Sequence, residues 1–308
     1  MEIIPRLGKL ITACCVCCGC FTSAAAQQAA ALEPLLRAEV GAAGTTANLS
    51  WSVAGNSAGT SPNIMSELQW RNLLGAGMYS RLTFQPLRRW YATLGFAGMG
   101  YAGGHATDND YQEDNRQYPS YAGRFSANKG YFRDFNSTIG FVLHASLQLK
   151  WLIQSGYTNQ QQLNYLLPAD QFTPSDLRST YASKWKGLIM KTTAEWLVSG
   201  NTSLVAGMAY SQLWYHAEAD WNLIPSFRHP LSFMHAAKGY AVHPTIEMKI
   251  RMFGKAYLNL ELAYDYRITG YGAEHLYLHN GDVTVTRLNN VRSSCWTLRA
   301  GLPFTLIH

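Results

Sequence analysis

Strict alternation of apolar and polar side chains near the end of the chain is the sequence feature that most limits the fold. From residue 255 to residue 268 every even position is apolar and most odd positions are polar. The even positions are Ala256, Leu258, Leu260, Leu262, Tyr264, Tyr266 and Ile268. Successive side chains of a β-strand point to opposite faces, so this segment predicts a long strand with one apolar face. The spacing of three to four residues that an amphipathic helix requires is not present.

Residues 240–252 alternate in the same way and predict the partner strand of a hairpin, with a short turn at residues 253–255. Pro244 lies inside this segment and removes one backbone hydrogen bond from the expected ladder. Weaker alternation recurs earlier in the chain, in residues 36–51, 78–86, 90–101, 135–143, 147–157, 185–197 and 203–214. Together these segments predict about ten strands.

The composition indicates where the apolar faces are directed. Charged residues make up only 14% of the chain and hydrophobic residues 47%, whereas a soluble protein usually has about a quarter charged residues. No internal stretch approaches the roughly twenty apolar residues of a membrane helix. The apolar residues are therefore expected on one face of each strand, in contact with lipid.

Strand and loop lengths fit a membrane barrel. Strands of about a dozen residues match a tilted membrane crossing. Short breaks such as His144-Ala145 alternate with long polar ones at residues 103–129 and 166–183. The sequence therefore predicts an all-β fold, a transmembrane antiparallel β-barrel of about ten strands with short periplasmic turns and long extracellular loops. The alternative, a soluble secreted β-sandwich, usually has strands of about five or six residues.

The N-terminus has the features of a cleavable export signal. Arg6 and Lys9 precede an apolar stretch at residues 10–21, and residues 24–26 are three alanines that suit cleavage. We therefore expect a signal peptide at residues 1–26, cleaved after Ala26, and the outer-membrane barrel at residues 27–308. The alternative is a lipoprotein signal, with acylation at Cys20.

Charge and cysteine content exclude several classes of partner. The net charge of +6 includes no run rich in lysine and arginine, so we expect no nucleic-acid partner. After removal of the signal peptide only Cys295 remains, so neither an internal disulfide nor a cysteine metal site is expected. Motifs of serine hydrolases, zinc proteases and phosphate-binding loops are not found either.

Charged residues of both signs fall on the predicted lumen-facing positions. They are Lys191, Glu195, Glu247, Lys249, Arg251, Glu261, Asp265 and Arg267. A charge shielded from water needs a partner of opposite sign, and a barrel of about ten strands is barely wider than its own side chains. We therefore expect an ion-pair network that fills the lumen, and a wide diffusion pore is disfavoured.

One group of polar residues that could take part in catalysis contains Asp108 and Asp110, shortly after Gly103-Gly104. The two aspartates are two positions apart, so in an extended chain both carboxylates face the same way. Paired carboxylates can share a proton or hold an attacking water. A solvated polar turn has the same composition and is the alternative.

His216, Glu218 and Asp220 form a second constellation and share one face of the strand that they end. A carboxylate beside a histidine raises the basicity of the imidazole and fixes its tautomer. Alternation from Leu204 to Tyr210 directs this face outward. A bulge is therefore required to turn the three side chains into the lumen.

These motifs resemble those of the omptin family, the ten-stranded outer-membrane proteases of Gram-negative bacteria. Residues 66–70 look like the family's Ser-x-Leu-Asp-Trp, with Gln69 in place of aspartate. Gly103-Gly104 followed by Asp108 and Asp110 is similar to the family's glycine pair and Asp-x-Asp arrangement. Residues 299–306 are similar to the last omptin strand and to the signal that the barrel-assembly machinery reads. The resemblance implies location in the bacterial outer membrane.

The resemblance also implies a catalytic site. Omptins hold the nucleophilic water with two aspartates and activate it with an Asp-x-His pair, which implies these roles for Asp108, Asp110 and Asp220. Asn222 stands where the family has histidine, and asparagine cannot act as a general base. His216 is the candidate that could replace this histidine.

Omptins also require lipopolysaccharide, which basic residues on the outer wall hold. Tyr157 and Lys184 match that motif, whereas Asn159 and Gln161 replace charged residues. The resemblance therefore implies lipopolysaccharide and outer-membrane lipids as partners, and neither a metal nor an organic cofactor.

Two functions follow from these patterns. One is an omptin-like endopeptidase that cleaves extracellular peptide or protein substrates, inactive if no residue replaces the histidine lost at Asn222. The other is a non-catalytic outer-membrane barrel, namely an adhesin, a structural protein or a narrow porin. The distance from the three aspartates to an imidazole discriminates between the two.

Overall fold

The computed structural model describes residues 35–254 and 256–307. The expected cleavage site after Ala26 and the alternative acylation site Cys20 lie outside the described residues. No helix within the described ranges is long and apolar enough to cross a membrane. Long β-strands make up most of the described chain.

The described residues form eleven strands and one short 3-10 turn at Asp114–Arg116. In chain order the strands are β1 (Leu36–Val53), β2 (Ser66–Leu87), β3 (Trp90–Glu113), β4 (Gln117–Ser126), β5 (Gly130–Ala145), β6 (Leu149–Leu166), β7 (Ser179–Ser199), β8 (Thr202–Asp220), β9 (Phe233–Arg251), β10 (Tyr257–Tyr277) and β11 (Val283–Ile307). The shortest has 10 residues and the longest 25. Strands of a soluble sandwich are usually about five or six residues long, so these lengths favour the barrel.

Antiparallel pairing closes the strands into a ring. β1 pairs with β2 on one side and with β11 on the other. The strand β4 pairs with β3 alone among the described strands, so ten of the eleven strands form the ring. The predicted all-β antiparallel barrel of about ten strands is confirmed.

The two ends of the barrel differ in their connections. Short turns join β2 to β3, β5 to β6, β7 to β8 and β9 to β10, at the end where Leu36 pairs with Ile307. We call this the turn end, and we call the opposite end the loop end. Most of the loop-end connections are longer, as the sequence predicts.

The predicted polar loop at residues 103–129 is wrong, because β3 continues through it to Glu113 and the chain returns as β4. We call this extension at the loop end the β3–β4 hairpin (residues 105–126), in which His105 pairs with Ser126. The alternation of apolar and polar residues does not reveal this hairpin, because a sheet outside the lipid needs no continuous apolar face. The other predicted long loop is also shorter, at residues 167–178.

The hairpin predicted at residues 240–268 is formed by β9 and β10. Cross-strand pairing is interrupted opposite Pro244 and resumes in the same register, from the Ala263–Thr245 pair to the Tyr266–Val242 pair. The missing N–H of the proline therefore weakens the ladder locally without shifting the strands.

The outer face of the ring is apolar. Met78, Ile139, Leu188 and Leu298 are 61–68% exposed. Exposed aromatic residues near the turn end are Phe84, Trp90, Trp151, Trp196 and Phe304, and those closer to the loop end are Tyr157, Tyr210, Trp214 and Tyr240. An apolar band between two aromatic girdles is the outer surface of a protein that crosses a membrane as a barrel.

Ion pairs cross the lumen towards the turn end. Arg81 of β2 binds Glu247 of β9 at 3.1 Å and Glu261 of β10 at 2.6 Å. It also approaches Glu39 of β1 at 3.5 Å, and Arg299 of β11 pairs with Glu261. The carboxylates are buried, so they need the partner charges. This is the kind of network that the lumen-facing charges predict.

Aromatic side chains fill the lumen towards the loop end. We call them the aromatic plug, and they are Trp51, Trp70, Tyr181, Trp221 and Phe233, each 8% exposed or less. The ring of Trp51 in β1 stacks on Tyr181 of β7, with the centroids 6.0 Å apart. β1 and β7 occupy opposite sides of the ring, so this contact spans the lumen.

We expect the refolded barrel to show no steady conductance in planar lipid bilayers, because the Arg81 ion pairs and the aromatic plug both bridge the lumen. The double variant Trp51→Ala, Tyr181→Ala removes the contact between opposite walls, so openings should become more frequent in single-channel recordings. Tyr157→Ala changes an outward-facing aromatic residue and is the control, which should show no channel openings. Steady conductance of the unmodified barrel would contradict a closed lumen and favour a narrow porin.

Candidate functional site

Bulges near the loop end determine which side chains face the lumen. The register between β2 and β3 shifts beside Asn72 (φ 53°) and Gly104 (φ 131°). Glycine adopts a positive φ without strain and asparagine tolerates it. Below the bulge Tyr101 is a buried inward residue of β3, whereas above it the even-numbered Ala106 and Asp108 face inward.

Asp108 and Asp110 lie on the inner face of β3 above the bulge. Asp108 pairs across the ladder with the fully buried Leu68, and Asp110 pairs with Ser66. Directly paired residues of neighbouring strands share a face, so both carboxylates point towards the inside of the barrel. The structure thus brings these two aspartates together.

Burial changes the acidity of both aspartates. A strand crosses the hydrocarbon core in about 9–11 residues, and β3 begins at Trp90, so both aspartates lie beyond the membrane-crossing part. Burial, helped by the charge of Asp110, raises the pKa of Asp108 to about 7. Burial also raises the pKa of Asp110, although a hydrogen bond with Ser66 opposes this shift. Within the described residues, the buried Oδ1 of Asp108 has no hydrogen-bond partner.

His216, Glu218 and Asp220 lie on the outer face of β8. This strand keeps an unbroken register with β7 and β9 over the whole stretch, and the alternate residues Ala217 and Ala219 are buried. The bulge that an inward orientation requires is therefore not formed in β8. The Nε2 atom of His216 lies 3.2 Å from Glu218, so His216 is not brought to Asp220 as the proposed base requires.

The imidazole beside Asp220 belongs to His229, in the connection between β8 and β9. The Nδ1 atom of His229 lies 2.6 Å from Oδ1 of Asp220, and Nε2 lies 3.2 Å from the carbonyl oxygen of Ile224. Two partners therefore fix the orientation of this ring. Sequence reasoning missed His229, because residues in an irregular connection follow no period that would assign their neighbours.

Asn222 has a structural role. Its side-chain oxygen accepts hydrogen bonds from the backbone N–H of Arg178 at 2.8 Å and from the hydroxyl of Ser179 at 3.2 Å. Its amide nitrogen donates to the carbonyl oxygen of Asp176 at 2.9 Å. One flat amide supplies both the acceptor and the donor. Asn222 thereby fastens the β8–β9 connection to the segment that leads into β7.

Another carboxylate–imidazole pair lies inside the barrel. His235 of β9 is fully buried, with Nε2 2.7 Å from Glu274 and Nδ1 2.8 Å from the hydroxyl of Tyr181. The ring of Trp51 lies 4.9 Å from the ring of His235. This histidine is thus part of the packing around the aromatic plug.

Asp108 and Asp110 receive no hydrogen bond from any histidine in the part of the chain that the structure describes. β3 and β8, which carry Asp108 and Asp220, are on opposing sides of the ring. No cluster of three or more histidine, cysteine or acidic side chains that could hold a metal ion occurs among the described residues. Of the expected arrangement, the structure brings Asp108 and Asp110 together and places His229, not His216, beside Asp220.

Tyr157 and Lys184 both lie on the outer face, on the neighbouring strands β6 and β7. Tyr157 is 39% exposed. One cross-strand row nearby contains Lys186, Trp214 and Lys238. The outer wall therefore carries three lysines among aromatic residues towards the loop end.

We expect Asp108→Asn to raise the thermal unfolding temperature of the barrel by several degrees at pH 8 and to have little effect at pH 3. Folding raises the pKa of Asp108 from 3.8 to about 7, so ionisation of the carboxyl penalises the folded state. The penalty is absent below about pH 4, grows up to about pH 7 and is complete above it. Circular dichroism melting in detergent at each pH measures the difference.

The matched control is Asp176→Asn, at an exposed carboxylate in the β6–β7 connection. This variant should change the thermal unfolding temperature by the same small amount at pH 3 and at pH 8. If Asp108→Asn raised the unfolding temperature equally at pH 3 and at pH 8, the ionisation of Asp108 would not be suppressed in the folded barrel.

Comparison with solved structures agrees with the architecture. The outer membrane protease OmpT from Escherichia coli matches with a TM-score of 0.70 and 14% identity, over 88% of this chain and 96% of that chain. OprG from Pseudomonas aeruginosa matches with a TM-score of 0.38 and 8% identity, over 87% and 95%. The toluene transporter TodX from Pseudomonas putida matches with a TM-score of 0.33 and 11% identity, over 87% and 88%. At this identity the likeness to OmpT shows the fold alone.

A sequence comparison shows the family. Curated proteins gave no match. The family described as Pom, Protochlamydia outer membrane protein, matches residues 44–304, which is most of the barrel. Together with the OmpT-like ring of strands, this match identifies the bacterial outer membrane as the location. The chain is an outer-membrane β-barrel and belongs to the Protochlamydia outer membrane protein (Pom) family.

Proposed function

We propose that this barrel is a non-catalytic, non-conducting adhesin that binds extracellular polypeptides through its β3–β4 hairpin. The observation that carries the proposal is the outer edge of β4, which apart from the Ser126–Leu167 pair has no partner among the described residues. The aromatic plug supports the absence of transport, because it occupies the inside of the barrel where a solute would pass. Long connections of outer-membrane barrels face the outside of the cell, so the hairpin is available to extracellular partners.

β4 has backbone groups that no described strand uses. Ser126 exchanges two backbone hydrogen bonds with Leu167, at 3.0 and 2.9 Å, on the side away from β3. Alternate residues of an antiparallel strand point their N–H and C=O groups to the same side. Ala122 and Arg124 therefore also point away from β3, and β4 has no second partner strand among the described residues. An extended polypeptide can add to such an edge as the next strand.

The hairpin is held firmly and exposes aromatic residues. Arg116 at its tip donates hydrogen bonds to both carboxylate oxygens of Glu67, at 2.9–3.1 Å. Tyr118 is 66% exposed and Tyr121 44% exposed. Exposed tyrosines on a rigid support are typical of binding surfaces, because they contribute contact area at a small loss of side-chain entropy.

We expect Ala122→Pro to weaken peptide binding to this edge by about tenfold, the effect of one or two lost hydrogen bonds. The probes are heptapeptides selected from a random displayed library on the barrel in lipid nanodiscs, and fluorescence anisotropy measures the affinity of synthetic copies. Proline removes the N–H of residue 122 from the free edge without removing a donor from the β3–β4 ladder.

Ala122→Thr keeps the N–H and is the matched control, with affinity expected to stay close to that of the unmodified barrel. Selection that recovers no peptide, or equal affinities for the proline and threonine variants, would count against the edge as the binding surface.

The second candidate function is an omptin-like endopeptidase. The raised pKa of Asp108 and the short Asp220–His229 hydrogen bond favour it. In this alternative Asp108 and Asp110 hold the water, and His229 replaces His216 as the base. Lipopolysaccharide, with its phosphates beside Lys184 and Tyr157, is the proposed partner in both cases, and residues 299–306 are the proposed assembly signal.

We expect barrel refolded with lipopolysaccharide to leave a fluorogenic peptide library intact. The endopeptidase alternative instead requires cleavage that Asp110→Ala and His229→Ala abolish and His216→Ala preserves. Mass spectrometry of the peptide products measures the outcome. Cleavage with this pattern of variants would replace the adhesin proposal.

A further inference from the structure

The charged residues of the turn end are all basic within the described part of the chain. Its turns and strand ends, at residues 35–37, 86–91, 143–150, 197–203, 250–254, 256–257 and 305–307, contain no aspartate or glutamate. The basic residues there are Arg37, Arg88, Arg89, Lys150 and Arg251. The loop end carries charges of both signs, for example those of Asp176 and Arg178 in the β6–β7 connection. The turn end is therefore a cationic surface, and the loop end is not.

Arg88 and Arg89 are the most available of these cations. They form the turn between β2 and β3 and both are exposed. Their carbonyl oxygens accept hydrogen bonds from Gln85 at 3.1 Å and from the backbone of Val142 at 2.8 Å, which fixes the turn. Neither guanidinium forms a hydrogen bond or an ion pair with another described residue. Two fixed arginines thus offer all their donors to an external anion.

Exposed apolar side chains lie directly beside these cations. Leu87 is 62% exposed and Trp90 is 49% exposed, on either side of Arg88 and Arg89. In the β9–β10 turn Phe253 is 77% exposed. Side chains of this kind enter the edge of the hydrocarbon layer, which places neighbouring guanidinium groups at the level of the lipid phosphates.

We propose that the turn end binds anionic phospholipid in the periplasmic leaflet, with Arg88 and Arg89 as the main phosphate ligands. Short turns of outer-membrane barrels face the periplasm. Arginine binds phosphate through two parallel hydrogen bonds. A surface with cations and no carboxylates prefers a lipid of net negative charge to a zwitterionic one. The inference is independent of the adhesin proposal, because the β3–β4 hairpin lies at the other end of the barrel.

Native mass spectrometry of the whole barrel with equal amounts of phosphatidylglycerol and phosphatidylcholine tests the proposal. We expect a preference for phosphatidylglycerol that falls roughly twentyfold in Arg88→Gln, Arg89→Gln, since each arginine near an anionic surface contributes about a factor of five. Lys129→Gln, Arg178→Gln removes the same charge from two exposed loop-end residues and should keep the full preference. Arg88→Lys, Arg89→Lys keeps the charge, so it should keep part of the preference.

Equal binding of the two lipids by the unmodified barrel, or an equal loss in both glutamine variants, would overturn the proposal. Heat-modifiable migration on gels verifies that each variant is folded, and the lysine variant provides the comparison if the glutamine variant does not fold. Glycerol phosphate is expected not to displace phosphatidylglycerol. Displacement at equal concentration would mean that the site binds free phosphate esters, and it would also overturn the lipid assignment.

Discussion

The seam between β1 and β11 is the interaction on which the rest of the structure depends. Lipid offers no hydrogen bonds, so backbone N–H and C=O groups of membrane strands need partners within the sheet. β1 and β11 pair from Leu36–Ile307 to Val53–Leu288, so the ring has no open edge between them. Closure at ten strands also sets a narrow radius, which brings side chains of opposite walls into contact. The Arg81 ion pairs and the aromatic plug are both results of that closure.

The sequence predicts those parts of the fold in which lipid imposes the side-chain period. The β9–β10 hairpin is an example, since its apolar residues alternate where the strands cross the membrane. The β3–β4 hairpin escaped prediction, because beyond the membrane the period of two is no longer required. The bulge beside Gly104 adds to the difficulty, since it moves the inward face of β3 from odd to even residues.

The candidate site too could be predicted from the sequence only where its residues lie in regular strands. The common orientation of Asp108 and Asp110 follows from their spacing, and the outward orientation of His216 follows from the parity of β8. The approach of His229 to Asp220 depends on the path of an irregular connection, and no pattern in the sequence encodes it. The hydrogen bonds by which Asn222 joins the β8–β9 connection to the β6–β7 connection could not be predicted for the same reason.

The continuity of β3 has a mechanical consequence. The strand runs from Trp90 at the turn end to Glu113 at the tip of the hairpin as a single β-strand with one bulge. A pull on the tip therefore acts along the strand axis, and the hydrogen bonds to β2 and β5 carry the load together, in shear. A flexible loop of the same length would instead transmit force to its two attachment points. The barrel thus gives the hairpin a stiff mechanical support.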